Sequence, residues 1–227
     1  MPAIIPTPLG IVMLDTQFSR PKGDVGNPDS WPFPVVMERV EGAFAGPVVS
    51  GTHRGVEAFI DAGQRLVDRG ACAVTTSCGF LVRHQRALET AIAVPVVTST
   101  LLSYSALQRK LGRFRSVVIL TIDKAALDSS VRASADIPDD ALVFELPGNS
   151  HFRRAILDAA CPLDPLAARA EWVDLALTVQ REHPNVGHWL FECANMPPYA
   201  DAVAVATGLD VYDALTMGRA LYQSATP

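Results

Sequence analysis

The sequence predicts an α/β fold with two pseudo-symmetric lobes, each a mostly parallel sheet flanked by helices. Apolar runs of strand length alternate with amphipathic stretches of helix length along the 227-residue chain. Of these residues 49% are hydrophobic and 19% are charged, so a large core is expected. A weak internal repeat predicts the second lobe, because the unit of strand, cysteine, helix, strand and helix occurs twice.

The first half of the chain contains strand and helix signals on either side of a long irregular segment. This segment, 15–52, is rich in proline and glycine and is predicted to be a covering or binding loop. Its Trp31 and Phe33 are expected to cover the site or to form a subunit contact. Apolar residues at helical spacing follow, and Gly70 is suited to end that helix. The predicted strands are 9–14, 71–76 and 94–98, and the predicted helices are 55–69, 81–91 and 101–111.

The second half begins after a boundary near 112–116 and repeats the alternation of strands and helices. Pro165 suits the first turn of the longest helix. The expected lobes are residues 1–113, which carry Cys78, and residues 114–213, which carry Cys193. The C-terminal helix 214–227 is a candidate to complete the first lobe. The predicted strands are 116–121, 141–146, 187–192 and 209–212, and the predicted helices are 124–135, 152–160, 165–182, 203–206 and 214–222.

Two cysteines follow apolar strands and precede predicted helices. Ligands bind at the carboxyl ends of parallel strands, so Cys78 and Cys193 are expected to face one substrate from the two lobes. A thiolate and a thiol form a matched base and acid, and helix N-termini lower a thiol pKa. The alternative is that a free cysteine packs as a small hydrophobe, which suits Cys72 and Cys161.

Composition and motifs exclude several classes of function. A net charge of −5 with no basic run argues against nucleic acid as a partner. Four cysteines without a CxxC pair predict neither a disulfide scaffold nor a structural zinc site. No phosphate-binding or histidine metal motif occurs, so no cofactor and no metal are expected. The absence of a signal peptide pattern and of a long apolar run predicts a cytoplasmic protein without membrane contact.

Four short segments resemble the aspartate/glutamate/hydantoin racemase superfamily. They are 74–79, 94–100, the strand that ends at Thr121, and the pair Glu192-Cys193, in the same order over nearly the whole chain. The resemblance implies two α/β lobes that each contribute a catalytic cysteine, with a small carboxylate-bearing substrate in the cleft between them. It also implies a cofactor-independent reaction and a homodimer.

The residues next to the two cysteines depart from the patterns typical of that superfamily. Gly79 follows the first cysteine, where glutamate and aspartate racemases have Asn-Thr. Ala194 and Asn195 follow the second, where those enzymes have Thr with His or Glu. The segment 193–196 is somewhat more similar to the second motif of hydantoin racemases. Arylmalonate decarboxylases typically keep only the second cysteine, so the presence of Cys78 argues against that activity.

Polar and small residues near these strand ends are expected to bind the substrate through hydroxyl groups and backbone N–H groups. The hydroxyls before Leu101 suit helix capping equally well. Asn195 suits a turn before the two prolines that follow it, and Asp15 and Gln17 suit a solvated loop. The expected substrate-binding residues are Asp15, Gln17, Thr76, Ser77, Gly79, Phe80, Thr98, Ser99, Thr100, Thr121, Ala194 and Asn195.

The function predicted from the sequence is a cofactor-independent racemase or epimerase, and thus an isomerase, that acts on an amino acid or a derivative. Cys78 and Cys193 would remove and return the proton next to the carboxylate. Two alternatives on the same scaffold are a hydantoin racemase and a maleate-type cis–trans isomerase, in which a cysteine adds to the substrate. A third is a two-lobed binding protein for small acids that has no turnover.

Overall fold

Two four-stranded sheets, in each of which all strands are parallel, form the core of the structure, a computed structural model that describes residues 7–53, 55–159 and 161–226. The predicted α/β fold with two lobes is therefore confirmed. The division into domains at residue 113 stays a prediction. Three of the predicted features extend beyond the described residues. They are most of the N-terminal segment without a signal peptide pattern, the last residue of the predicted helix 152–160, and the outermost residues of the predicted domains.

The first sheet has the strand order β2-β1-β3-β4. Strand β1 lies in the middle of it, with Leu9 paired to Val35 on one side and to Ala73 on the other. All residues of β1 are buried, as is usual for a parallel strand that is covered on both faces. The strands are β1 Leu9–Leu14, β2 Val35–Val40, β3 Ala73–Thr76 and β4 Val96–Val97, and the helices are α1 Ala45–Val49, α2 Glu57–Asp68, α3 Gln85–Ala91 and α4 Tyr104–Leu111, with 3-10 helices at Pro28–Ser30, Gly79–His84 and Thr100–Ser103.

The second sheet repeats this arrangement with the order β6-β5-β7-β8. The second strand of each lobe along the chain is thus at one edge, and the fourth is at the other. Asp164 begins the long helix of this lobe by accepting hydrogen bonds from two backbone N–H groups. The strands are β5 Ser116–Thr121, β6 Leu142–Glu145, β7 Val186–Phe191 and β8 Val211–Tyr212, and the helices are α5 Ser129–Ser134, α6 His151–Ile156, α7 Pro165–Glu182, α8 Ala200–Thr207 and α9 Ala214–Ala225, with a 3-10 helix at Pro197–Tyr199.

The segment 15–52 contains more regular structure than the sequence predicted. Strand β2 and helix α1 both lie within it. Strand β2 is an edge strand whose side chains are mostly half-buried, so it lacks the apolar run that marks a central strand. Helix α5 is also shorter than the predicted helix 124–135, because Asp128 caps it immediately before Ser129.

The C-terminal helix α9 packs against the first sheet. Its Leu215 and Leu221 join Leu9 and Ile11 of β1 in one apolar cluster. Trp31 belongs to the same cluster and is buried, with its indole N–H donating to the Val25 carbonyl oxygen at 3.0 Å.

Phe33 also packs within the subunit, stacked on the Tyr222 ring of α9 with 3.8 Å between ring centroids. The expectation that Trp31 and Phe33 cover the site is therefore wrong, because helix α9 supplies the apolar surface on which they pack. The alternative expectation, a contact with another subunit, stays a prediction. No helix in the described ranges combines the length and apolar character of a membrane span.

Candidate active site

A small cavity lies at the carboxyl ends of the central strands, with walls from both lobes. The volume of the cavity that the centre of a water molecule can reach is about 20 Å³, so the cavity has room for about one water molecule. Cys78 and Cys193 both line this cavity, so the structure brings the two predicted thiols together. The cavity is lined by Leu14, Thr16, Phe18, Arg20, Ala45, Val49, Ser77, Cys78, Gly79, Phe80, Ile122, Ile156, Leu157, Glu192, Cys193 and Asn195.

Cys78 occupies the position before the first residue of the 3-10 helix Gly79–His84. Burial raises the pKa of its thiol to about 12, and the negative charge of Glu192 acts in the same direction. Hydrogen bonds from the backbone N–H groups of Phe80 and Leu81 oppose this rise in pKa. The thiol is therefore protonated at neutral pH, although these backbone groups favour the thiolate.

Cys193 follows β7 and is held by a side-chain hydrogen bond. Its thiol donates to Oδ1 of Asn195 at 3.5 Å, and Nδ2 of Asn195 donates to Asp24 at 2.7 Å. Burial raises the pKa of the Cys193 thiol well above its ordinary value, and the negative charge of Glu192 adds to the rise. The Cys193 thiol is therefore protonated at neutral pH, and its proton is directed at Oδ1 of Asn195.

Asp24 connects the thiol of Cys193 to the loop after β1. It is fully buried and forms an ion pair with Arg20 at 2.7 Å. Arg20 in turn donates to Thr16 Oγ1 at 2.7 Å and lies over the Phe18 ring, 4.5 Å from its centroid. A loop from the first lobe therefore forms part of the wall next to the thiol of the second lobe.

Glu192 lines the cavity together with the two thiols and is only 1% exposed. Its Oε2 accepts a hydrogen bond from Thr121 Oγ1 at 2.9 Å. Its Oε1 is buried and has no hydrogen-bond partner among the described residues. Burial raises the pKa of this carboxyl to about 8, although the hydrogen bonds from Thr121 and from the Ile122 N–H oppose the rise. A side chain at position 79 would overlap the Glu192 carboxyl, so glycine is required there.

The hydroxyl groups predicted near the ends of β3 and β4 are engaged in contacts with the protein. Thr76 donates to the Thr98 carbonyl oxygen at 2.7 Å, and Thr98 donates to Gln85 at 2.7 Å. Ser99 caps the 3-10 helix that follows it, and Thr100 donates to the Phe191 carbonyl oxygen at 2.7 Å. These four residues do not line the cavity, and their predicted contact with substrate stays a prediction.

The remaining predicted residues divide between the cavity wall and its surroundings. The cavity is lined by Ser77, Gly79, Phe80 and Asn195 in addition to the two cysteines. Thr121 does not line the cavity, but it donates a hydrogen bond to Glu192, which does. The backbone of Ala194 accepts a hydrogen bond from Val25. Asp15 and Gln17 line a separate outer cavity, where Asp15 accepts from the Gly42 N–H at 3.0 Å.

The outer cavity is a much larger space of about 720 Å³ between the loop after β1, helix α1 and the segment after α6. Phe18 and Leu157 are among the residues that line both cavities, so they form a partition between them. A molecule larger than water that reaches the thiols from this side has to displace the partition. The residues common to both cavities are Thr16, Phe18, Ala45, Ile156 and Leu157.

The sequence assigned no role to several residues of the site. Glu192 has a detectable signal, since it is a charged residue between an apolar strand and a candidate cysteine. Arg20 and Asp24 have none, because they belong to a segment without periodicity and meet Asn195 only through the fold. The same holds for Phe18.

Comparison with solved structures places this fold in a known group. Unliganded arylmalonate decarboxylase superposes with a TM-score of 0.59 at 18% identity and covers 97% of this chain and 93% of its own. Allantoin racemase from Pseudomonas fluorescens gives 0.59 at 17% identity with 95% and 90% coverage. Aspartate racemase from Picrophilus torridus gives 0.55 at 15% identity with 96% and 94% coverage. The resemblance to the aspartate/glutamate racemase superfamily is therefore confirmed for the fold.

Comparison with curated sequences identifies a different group of relatives. The chain is 29% identical over 220 residues to a dimethylsulfoniopropionate lyase of Durusdinium sp. clade D, with 91% of this chain and 71% of that protein covered. It is 27% identical to dimethylsulfoniopropionate lyases 7 and 3 of Emiliania huxleyi strain CCMP1516, with 92% of this chain covered in both cases. The chain spans only 64% and 57% of the length of these two proteins. No family model matches the sequence.

These relatives overturn the predicted function. The chain was expected to be a racemase or epimerase and therefore an isomerase, whereas its curated relatives are named lyases. The error has a chemical cause. Removal of a proton next to a carboxylate begins both racemisation and elimination. The outcome depends on whether the substrate carries a leaving group on the next carbon. A pair of cysteines in the sequence is therefore compatible with either reaction and does not distinguish them.

Proposed function

We propose that this protein is a lyase that releases dimethyl sulfide from dimethylsulfoniopropionate or from a closely related sulfonium acid. One observation carries the proposal: a chain similar to named dimethylsulfoniopropionate lyases places two buried cysteines in one cavity. The fold alone does not separate lyase from racemase, since its structural neighbours include racemases and a decarboxylase.

The proposed reaction is a β-elimination. The thiolate of one of the two cysteines takes a proton from the carbon next to the substrate carboxylate, and negative charge develops on that carboxylate. The electron pair forms the double bond to the next carbon, and the bond from that carbon to sulfur breaks. Dimethyl sulfide leaves as a neutral molecule, acrylate remains, and the thiol later loses the proton to solvent.

The cavity offers what this step requires. The amide groups of Phe80 and Leu81 favour the thiolate form of Cys78 in a site from which water is nearly excluded. Ser77, Gly79, Phe80 and Asn195 line the same space and are proposed to contact the substrate. The substrate would enter from the outer cavity through the partition.

The test is the release of dimethyl sulfide by the purified protein, measured by gas chromatography, with acrylate measured by NMR. We expect Cys78→Ser and Cys193→Ser each to lower the rate by about 100-fold or more, as is usual when an acid or base is lost. Cys72→Ser is the matched control, because Cys72 is also a free cysteine but lies outside the cavity. No release by the unmodified protein, or equal rates in all three variants, would refute the proposal.

The homodimer also stays a proposal. Light scattering on the same sample tests it.

A further inference from the structure

Glu192 is the acidic side chain of the cavity wall, and it adjoins both candidate thiols. It lines the same cavity as both thiols, and its negative charge contributes to the raised pKa of Cys78 and to that of Cys193. Gly79 leaves the space that this carboxyl fills. The structure thus accommodates a buried carboxyl in the wall of the cavity that holds the two thiols.

The two oxygen atoms of Glu192 differ in their surroundings. Oε2 accepts a hydrogen bond from the Thr121 hydroxyl at 2.9 Å. Oε1 is buried and has no partner among the described residues. The oxygen that already accepts a hydrogen bond is the poorer place for a proton, so the proton of a neutral Glu192 belongs on Oε1. A protonated Oε1 is a hydrogen-bond donor for which the described residues supply no acceptor.

We propose that Glu192 is a catalytic residue that carries a proton at neutral pH and donates a hydrogen bond from Oε1 to the substrate carboxylate. This inference rests on the proposed lyase function. A charged Glu192 would repel the substrate carboxylate in a site nearly free of water, whereas a neutral Glu192 donates a hydrogen bond to it. The donor strengthens as negative charge develops on the carboxylate during removal of the α-proton. Glu192 keeps its proton throughout, and the α-proton goes to the thiolate.

The charges around Glu192 favour its neutral form. Burial is the main cause of its raised pKa of about 8, and the nearby carboxylate of Asp123 adds to it. The two thiols are neutral at this pH, since their own pKa values are raised. Two cations are nearby, and both are paired. Arg20, which lines the cavity, forms an ion pair with Asp24 at 2.7 Å. Arg153 contacts Glu145 at 2.8 Å, Asp123 at 3.8 Å and the Ile122 carbonyl oxygen.

The protonation state is measured without any substrate. Infrared difference spectra between the unmodified protein and Glu192→Gln are expected to show the carbonyl band of a neutral carboxyl, which disappears with a midpoint near pH 8. Thr121→Val is expected to raise this midpoint, because it removes a hydrogen bond that stabilises the carboxylate. A Glu192 carboxyl that is ionised well below neutral pH would overturn the proposal, whatever reaction the protein catalyses.

The donor role is measured by comparing two neutral replacements. Glu192→Gln keeps an N–H donor and is expected to retain kcat within about tenfold, whereas Glu192→Leu is expected to lose about 100-fold or more. Equal losses in both variants would contradict a donor role.

Propionate binding, measured by calorimetry, compares the same two variants independently of turnover. If no dimethyl sulfide is released but propionate binding follows the donor, the lyase function fails and the role of Glu192 as a carboxylate-binding donor stands.

The pH profile provides a readout that a structural role would not change, and it does not need the leucine variant to fold. The reactive form has a neutral Glu192 and a thiolate, so this pair of groups holds one proton between them. The pair reaches that proton count as its first proton is lost near pH 8, and a constant fraction of it then has the proton on Glu192. We therefore expect kcat/KM of the unmodified protein to rise and then level off near pH 8. In Glu192→Gln the rate is expected to keep rising beyond this pH, because the remaining thiol pKa is higher. Identical profiles would contradict the proposal.

Discussion

At the scale of single residues, the site depends on how closely two neighbouring strand ends approach each other. Gly79 follows the first thiol and Glu192 precedes the second, and the carboxyl of Glu192 occupies the space that a side chain at position 79 would fill. The sequence shows that a glycine follows Cys78 but not what lies against it. This contact joins the two lobes directly behind the thiols.

Gly79→Ala is expected to destabilise the protein by about 1–3 kcal/mol, since an added methyl group has to displace backbone as well as the carboxyl. Urea unfolding followed by circular dichroism measures this change. Gly148→Ala is the matched control, because an added methyl group there meets no atom within 4 Å. A stability of Gly79→Ala equal to that of the control would show that the two strand ends leave room for a methyl group.

At the scale of elements, the loop after β1 determines access to the thiols. Phe18 and its neighbours separate a cavity of about 20 Å³ from one of about 720 Å³. Arg20 holds this loop through Asp24, which also holds Asn195 beside Cys193. The sequence predicted a covering or binding role for this part of the chain but selected Trp31 and Phe33, which pack under helix α9 instead.

Phe18→Ala is expected to join the two cavities and to increase the rate at which iodoacetamide alkylates Cys78 and Cys193 several-fold. Mass spectrometry of the peptides identifies which thiols have reacted. Phe44→Ala serves as the control, because Phe44 lines only the outer cavity and is 56% exposed. Unchanged alkylation of both buried thiols in Phe18→Ala would show that they are reached by another route.

At the scale of the whole molecule, folding raises the pKa of the Glu192 carboxyl from an ordinary value of 4.5 to about 8. Between these two pH values the unfolded chain has released the Glu192 proton and the folded protein has kept it. Stability therefore decreases as pH rises through this window, and all of this loss is complete above pH 8. A site that keeps a buried acid neutral thus costs the fold stability under mildly alkaline conditions.

The free energy of unfolding is expected to decrease more steeply between pH 4.5 and pH 8 in the unmodified protein than in Glu192→Gln. Denaturant unfolding at a series of pH values measures both curves, and their difference isolates Glu192 from the other titrating groups. Parallel curves would mean that the carboxyl titrates alike in the folded and unfolded states.

The strands and the two cysteines are the part of this protein that the sequence by itself determined. Apolar runs mark β1, β3, β5 and β7 because these strands are buried in the sheets, and residues that follow such strands necessarily lie at the carboxyl edges. Local patterns were weaker for β2, whose side chains are half-buried at a sheet edge.

Contacts between distant segments were decided only by the tertiary structure. Asp24 and Asn195 are 171 residues apart, and Thr121 and Glu192 are 71 residues apart, so no local pattern records that they meet. The raised pKa of Glu192 is also a property of the folded molecule, because it results mainly from burial. The local sequence places the two thiols at the carboxyl ends of the strands. The polar network that surrounds them forms only when the two lobes pack against each other.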